Sequence, residues 1–180
     1  MDKTKVLFFL INLVGGVAVL GGYVYGLSTH PGEGKLLWGD VPEAVRPIYT
    51  ACMFPAAAGY LVSFAYLMRS NWSELRIKNK SATQRILVIH ILFLTTAALW
   101  MPVSWQALDN AQPSLFWPIQ IILLITGLGS LAIAWLYRQF DNPPHPTWAR
   151  RCFWAVHLLV WQCLVLDALV WPRFFDIPGV

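Results

Sequence analysis

Apolar residues in this chain neither alternate as in a half-buried strand nor keep to one helical face. They run on in long stretches separated by short polar segments. Five such stretches stand out, at 6–27, 48–68, 86–105, 115–137 and 151–171. Each is close to the roughly 20 residues that a helix needs to cross a bilayer. The pattern predicts an all-α membrane protein: one domain, residues 1–180, built as a bundle of five transmembrane helices. Lys3 and Lys5 precede the first stretch as they would a signal peptide. That stretch continues through Tyr23, Val24 and Tyr25 without a small-residue cleavage site, so it is expected to be retained.

Composition agrees. The chain is 57% hydrophobic and 12% charged, with mean hydropathy +0.55, outside the range of soluble domains. Charge then suggests an orientation. Assigned to alternate sides of the five spans, ten of the 13 Lys and Arg residues fall with the N-terminus and the second and fourth connections, and three fall opposite. The positive-inside rule puts the N-terminus in the cytoplasm and the C-terminus outside, in a multi-pass protein of the inner (cytoplasmic) membrane. The net charge of +4 is then a topology signal and calls for no nucleic-acid partner; the lipid bilayer is the expected surroundings. Cys52, Cys152 and Cys163 fall in predicted spans without C-x-x-C spacing and read as packing residues.

The longest polar segment is the first connection, 28–47, "STHPGEGKLLWGDVPEAVRP". Asp40, Pro42 and Glu43 resemble a helix start, predicting a short helix over about 41–45 in an outer, lid-like connection across the mouth of the bundle. In the first span Ala18, Gly22 and Gly26 lie four apart on one face. They invite close approach by another helix, of this chain or of a second copy. Pro55, Pro102 and Pro118 lie inside or near span ends, where each removes a backbone donor.

Ten tryptophans are unusual for 180 residues. Trp38, Trp72, Trp105, Trp117, Trp135, Trp148 and Trp171 fall in connections or at span ends and are expected to form an interfacial belt, with Trp154 added to it. Trp100 and Trp161 lie deeper, where an indole N–H needs a partner, and are the better candidates for a pocket.

Ionisable groups inside spans are costly unless they face the bundle interior. His90 and His157 fall at a common depth, about 8 and 9 Å from one boundary at 1.5 Å per residue. Interhelical hydrogen bonding is the simpler reading for both, and axial ligation of a b-type haem the alternative. Asp167 lies about 24 Å along the fifth span, near the outer mouth, placed to pair with Arg46 or to meet a ligand under the first connection. Asn12 is expected to bond between helices. No nucleophile with an adjacent base, metal cluster or phosphate loop can be found, which argues against an enzyme.

The layout resembles the tryptophan-rich sensory protein family, also called the translocator protein family. The resemblance rests on five short-looped spans and a long first connection with Trp and Pro, together with three segments. "RPIYTACMFPAAAGYLV" supplies Tyr49, Met53 and Ala56 to Ala58. "ALWMPVSW" supplies Trp100, Pro102 and Trp105, and "VWQCLVLDALVW" supplies Trp161 and Asp167. The letters depart from the family in the first connection, which lacks its Trp-x-Pro-Pro signature, and in the third span, where Phe93 and Ala97 replace Gln and Asn. The resemblance implies an apolar intrabundle pocket for a flat hydrophobic small molecule, a tetrapyrrole such as a porphyrin or a sterol, near Trp38, Tyr49, Trp100, Trp161 and Asp167. Two other functions compete with this binding or transport role: a haem redox protein using His90 and His157, and an assembly subunit packing into a homodimer or a larger membrane complex.

Overall fold

The computed structural model describes residues 3–175 and 177. Its helices are α1 (Lys3–Thr29), α2 (Arg46–Arg69), α3 (Thr83–Asp109), α4 (Phe116–Gln139) and α5 (Pro146–Val160). The last continues as a π-helix over Trp161–Val170 and a 3₁₀ turn over Trp171–Arg173. Together they make five helical spans long and apolar enough to cross a membrane. Each apolar stretch read from the sequence lies inside one of them, because a backbone without water to bond to must close its hydrogen bonds locally. Pro47 and Pro146 stand in the first turns of α2 and α5, where a missing N–H costs nothing.

Packing fixes the order of the helices. α3 lies between α1 and α4, and α5 lies between α4 and α2. The gap between α1 and α2 is bridged by side chains: Phe8 stacks on Phe64, and the Tyr60 hydroxyl donates to the Asn12 side-chain oxygen. The bond expected from Asn12 therefore forms, towards α2. Ser63 with Tyr137 (2.6 Å) and Thr126 with Thr96 (2.9 Å) add polar links between helices.

The second connection holds a two-stranded hairpin, β1 (Arg76–Ile77) and β2 (Lys80–Ser81), turned through Lys78 and Asn79 in left-handed conformations (φ 50° and 61°). The Asp141 carboxylate accepts from both turn N–H groups, fastening the α4–α5 connection to the hairpin. The larger part of the core lies towards this end, around Phe8, Tyr66, Leu75, Ile86 and Val156. A second, smaller cluster around Val41, Tyr49, Ile119 and Trp171 lies at the opposite end, under the first connection.

The glycine face of α1 is turned on this chain's own α3. Gly15 lies against Leu94, Gly22 against Ala98 and Met101, and Gly26 against Met101 and Trp105. A second copy is not needed to cover it. The helix expected over about 41–45 is absent. A single 3₁₀ turn occurs earlier, at Leu36–Trp38, and residues 43–45 form a turn leading into α2. The Val41 carbonyl, which a helix would use, accepts instead from Arg46 Nε (2.9 Å), and the Asp40 N–H donates to Phe174 O (2.8 Å).

Burial also revises the tryptophan belt. Trp72, Trp105 and Trp171 are buried, the first and last with their N–H groups on the Leu67 and Leu37 carbonyls. Trp148 is half-buried, edge-on to Tyr66 with Arg69 over its face. Trp117, Trp135 and Trp154 are exposed on the bundle surface, as a belt requires.

Gly59 of α2 meets the α5 backbone so closely that a methyl group would strike the Ala155 carbonyl, whereas Gly21 of α1 faces open space. Gly59→Ala is expected to destabilise the bundle by roughly 1–3 kcal/mol, the usual cost of overpacking. Gly21→Ala is expected to be neutral or stabilising, because alanine is the better helix former. Thermal denaturation of both variants in detergent checks the contrast.

Candidate functional site

Where the lid-end core thins, it leaves a partly open cavity of about 180 Å³. α1 contributes Tyr23 and Leu27, the first connection Gly34, Leu37 and Trp38, and α2 Tyr49 and Met53. α3 adds Trp100 and Met101, α4 Leu123, and the α5 extension Gln162, Asp167 and Trp171. Its walls are apolar apart from Gln162 and Asp167, and five of the thirteen lining residues are aromatic. Tyr23 stands edge-on to Trp100 (5.7 Å between centroids), Trp100 edge-on to Trp171 (6.0 Å), and Trp38 edge-on to Tyr49 (5.7 Å). Such edge-to-face contacts hold rings in fixed orientations, so the walls are shaped before any ligand arrives.

The polar end depends on the π-helix. In an α-helix, residues five apart point about 140° away from each other. In the π-helix the backbone bond closes from i to i+5, as from Trp171 N–H to Leu166 O, and this stacks such residues on one side. Gln162 and Asp167 are therefore neighbours, with Gln162 Nε2 donating to Asp167 Oδ1 at 2.8 Å. Gln162 is 5% exposed, and its Oε1 has no hydrogen-bond partner among the described residues. α4 accommodates the wider coil at Gly127, where a methyl group would press on Leu164.

The first connection closes over this cavity and is held at both ends. At one end the Trp171 N–H donates to Leu37 O and the Asp40 N–H to Phe174 O, both at 2.8 Å. Gly39 has φ 51°, and a side chain there would strike the Phe174 carbonyl. At the other end His30 stacks flat on Trp105, with centroids 3.8 Å apart and planes 4° from parallel. Its Nδ1 faces the Gly26 carbonyl (2.8 Å) and its Nε2 faces Asp109 (3.1 Å). Only the imidazolium donates to both at once, and its charge suits the C-terminal end of α1.

Trp38, Tyr49, Trp100 and Asp167 all line the cavity. Trp161 does not: it is 54% exposed. Trp154, Leu158 and Trp161 recur at the spacing of one helical face, all three exposed, while Cys152, Val156, Leu159 and Gln162 make the buried face. The pairing expected between Asp167 and Arg46 is not formed. Arg46 bonds to the Val41 and Gly39 carbonyls, and Asp167 bonds to Gln162.

Neither His90 nor His157 lines the cavity, and their rings have different neighbours. His90 is fully buried on α3 between the rings of Phe8 and Tyr60, and His157 packs on Phe153 and Trp154 of its own helix. The interhelical bonds expected of them are replaced by bonds within each helix, Nδ1–H to the carbonyl four residues back: Ile86 for His90 and Phe153 for His157, both at 2.7 Å. Helical side chains lean towards the preceding turn, which brings that carbonyl within reach. No group of three or more His, Cys, Asp or Glu residues that could hold a metal occurs among the described residues.

Sequence reading passed over Gln162, a polar residue in the middle of "VWQCLVLDALVW", because α-helical periodicity separates it from Asp167. Trp171 was assigned to the belt by its position at a span end, and Tyr23 carried no signal beyond its aromatic character.

Fold and site together define a multi-pass integral membrane protein with an aromatic, acid-bearing cavity inside a five-helix bundle. No protein-family model matches the chain, and comparison with characterised proteins and with solved structures returns no match.

The His30 clamp predicts a pH dependence. The Gly26 carbonyl raises the imidazole pKa above its ordinary 6.5, desolvation opposes this, and Asp109 and Glu33 add to the rise. A raised folded-state pKa means that the stabilisation is complete below the unfolded value and is lost as pH climbs through the folded one. The melting temperature is expected to fall as pH is raised from below 6.5 through that value, and Asp109→Asn to flatten the fall; thermal melts across pH read both.

Proposed function

We propose that this protein binds or carries a flat hydrophobic ligand within its helical bundle, in the cavity beneath the first connection. The observation that carries this reading is one cavity lined by Tyr23, Trp38, Tyr49, Trp100 and Trp171 together with a hydrogen-bonded acid–amide pair. Apolar walls with a few convergent polar groups are the usual form of a small-molecule site.

The same layout supports membership of the tryptophan-rich sensory protein family and a tetrapyrrole- or sterol-like ligand. At about 180 Å³ the partly open cavity is smaller than the roughly 300–1,000 Å³ of drug-sized sites, so such a ligand inserts one edge or displaces the first connection. The excess of Lys and Arg at the hairpin end supports a cytoplasmic N-terminus in the inner membrane, with the cavity mouth outside. A C-terminal reporter active only outside the cytoplasm is then expected to be active; a silent reporter in folded, membrane-inserted protein reverses the orientation.

Binding of a fluorescent sterol or of protoporphyrin, followed through the ligand's own emission, tests the cavity. Trp100→Ala is expected to weaken binding on the order of tenfold, the worth of about 1.4 kcal/mol of lost ring contact, and Trp161→Ala to leave it unchanged. Equal affinity in wild type and Trp100→Ala excludes this cavity as the site.

A further inference from the structure

Hydrogen-bonding capacity in the cavity is unbalanced. Gln162 gives an amide N–H to Asp167 Oδ1, which leaves the buried Gln162 Oε1 without a partner among the described residues. Two of the donors in the lining are committed elsewhere, the Tyr49 hydroxyl to Leu166 O and the Trp171 N–H to Leu37 O. Among the described residues no Lys, Arg or His lines the space, and Arg46 is held by backbone carbonyls of the first connection. A carboxyl group in apolar surroundings, with acceptors beside it and no cation, is an arrangement that a donor from outside completes.

The walls favour the same kind of guest. Aromatic faces carry partial negative charge and attract cations, most strongly where water is excluded, and Trp38, Tyr49 and Trp100 line the space together. A carboxylate guest brings only further acceptors to Asp167 and Gln162. The volume, about 180 Å³, compares with the roughly 150 Å³ cavity known to take up benzene, enough for one ring and a short polar group.

We propose that the cavity selects a small protonated amine bearing an apolar ring, with its N–H groups donating to Asp167 and Gln162 and its ring held among the aromatic walls. This assignment rests on the reading of the cavity as a ligand site and names the chemistry of its occupant.

The test uses the full chain in nanodiscs of zwitterionic lipid, with empty discs as the control for partitioning. Benzylamine, toluene and benzoate are titrated and followed by ligand-observed NMR. Benzylamine is expected to bind about tenfold or more tightly than toluene, as befits hydrogen bonds to a charged group, and benzoate to bind weakest. Asp167→Asn, its helicity checked by circular dichroism, is expected to bring benzylamine down to the level of toluene while toluene itself is unchanged. Gln162→Leu supplies a second reading, a smaller loss for benzylamine alone, if the first variant does not fold.

Equal binding of benzylamine and toluene, unaffected by either variant, overturns the amine assignment and leaves the cavity as an apolar site. Binding of none of the three probes also overturns it, and removes the cavity reading too if sterol and porphyrin fail in the wild type.

Discussion

Hydrocarbon offers no hydrogen bonds, and the rest of this structure follows from that constraint. It makes the backbone helical in five long spans, and it governs the side chains inside them. Ser70, Thr96, Ser104 and Thr126 each bond to the carbonyl four residues back, as His90 and His157 do. Each of these bonds closes within one helix, which leaves helix–helix contact to apolar packing and a few polar pairs, Ser63 with Tyr137 and Thr126 with Thr96. Against that background, the buried polar atoms without a partner among the described residues stand out: His90 Nε2, Trp105 Nε1 and, beside an acid in the cavity, Gln162 Oε1.

The π-helical stretch of α5 brings Gln162 and Asp167 together. A wider coil is uncommon because its backbone geometry is less favourable, and it tends to occur where function needs an altered register. Here it turns a five-residue spacing into a contact, sets the Leu166 carbonyl within reach of the Tyr49 hydroxyl, and lets Trp171 bond to the first connection. Gly127 on the facing helix leaves room for it. One local departure from α-geometry thus builds the polar end of the cavity and helps to hold its roof.

The roof is fastened at both ends by different chemistry. Towards α5 the bonds are backbone and indole N–H groups to carbonyls, insensitive to pH. Towards α1 and α3 the fastening is an imidazolium between a carbonyl and a carboxylate, stacked on Trp105.

Sequence alone determined the five spans, the five-helix membrane architecture, the position of the long connection and four of the cavity's residues, Trp38, Tyr49, Trp100 and Asp167. The spans and the connection are set by hydrophobic length, Trp100 and Asp167 are marked by polar atoms that hydrocarbon leaves without a partner, and Trp38 and Tyr49 come from the family resemblance alone. Tertiary structure decided the rest. Trp161 and Gln162 are adjacent in the chain, yet one faces out and the other in, because helical phase rather than depth sets direction. Trp105 and Trp171, which sit at span ends like the belt tryptophans, are covered by the first connection, a contact no local pattern encodes. The pairing of Gln162 with Asp167 was hidden most deeply. It needs a coil whose width is settled by packing against α4, and a sequence read at 3.6 residues per turn sends those two side chains in different directions.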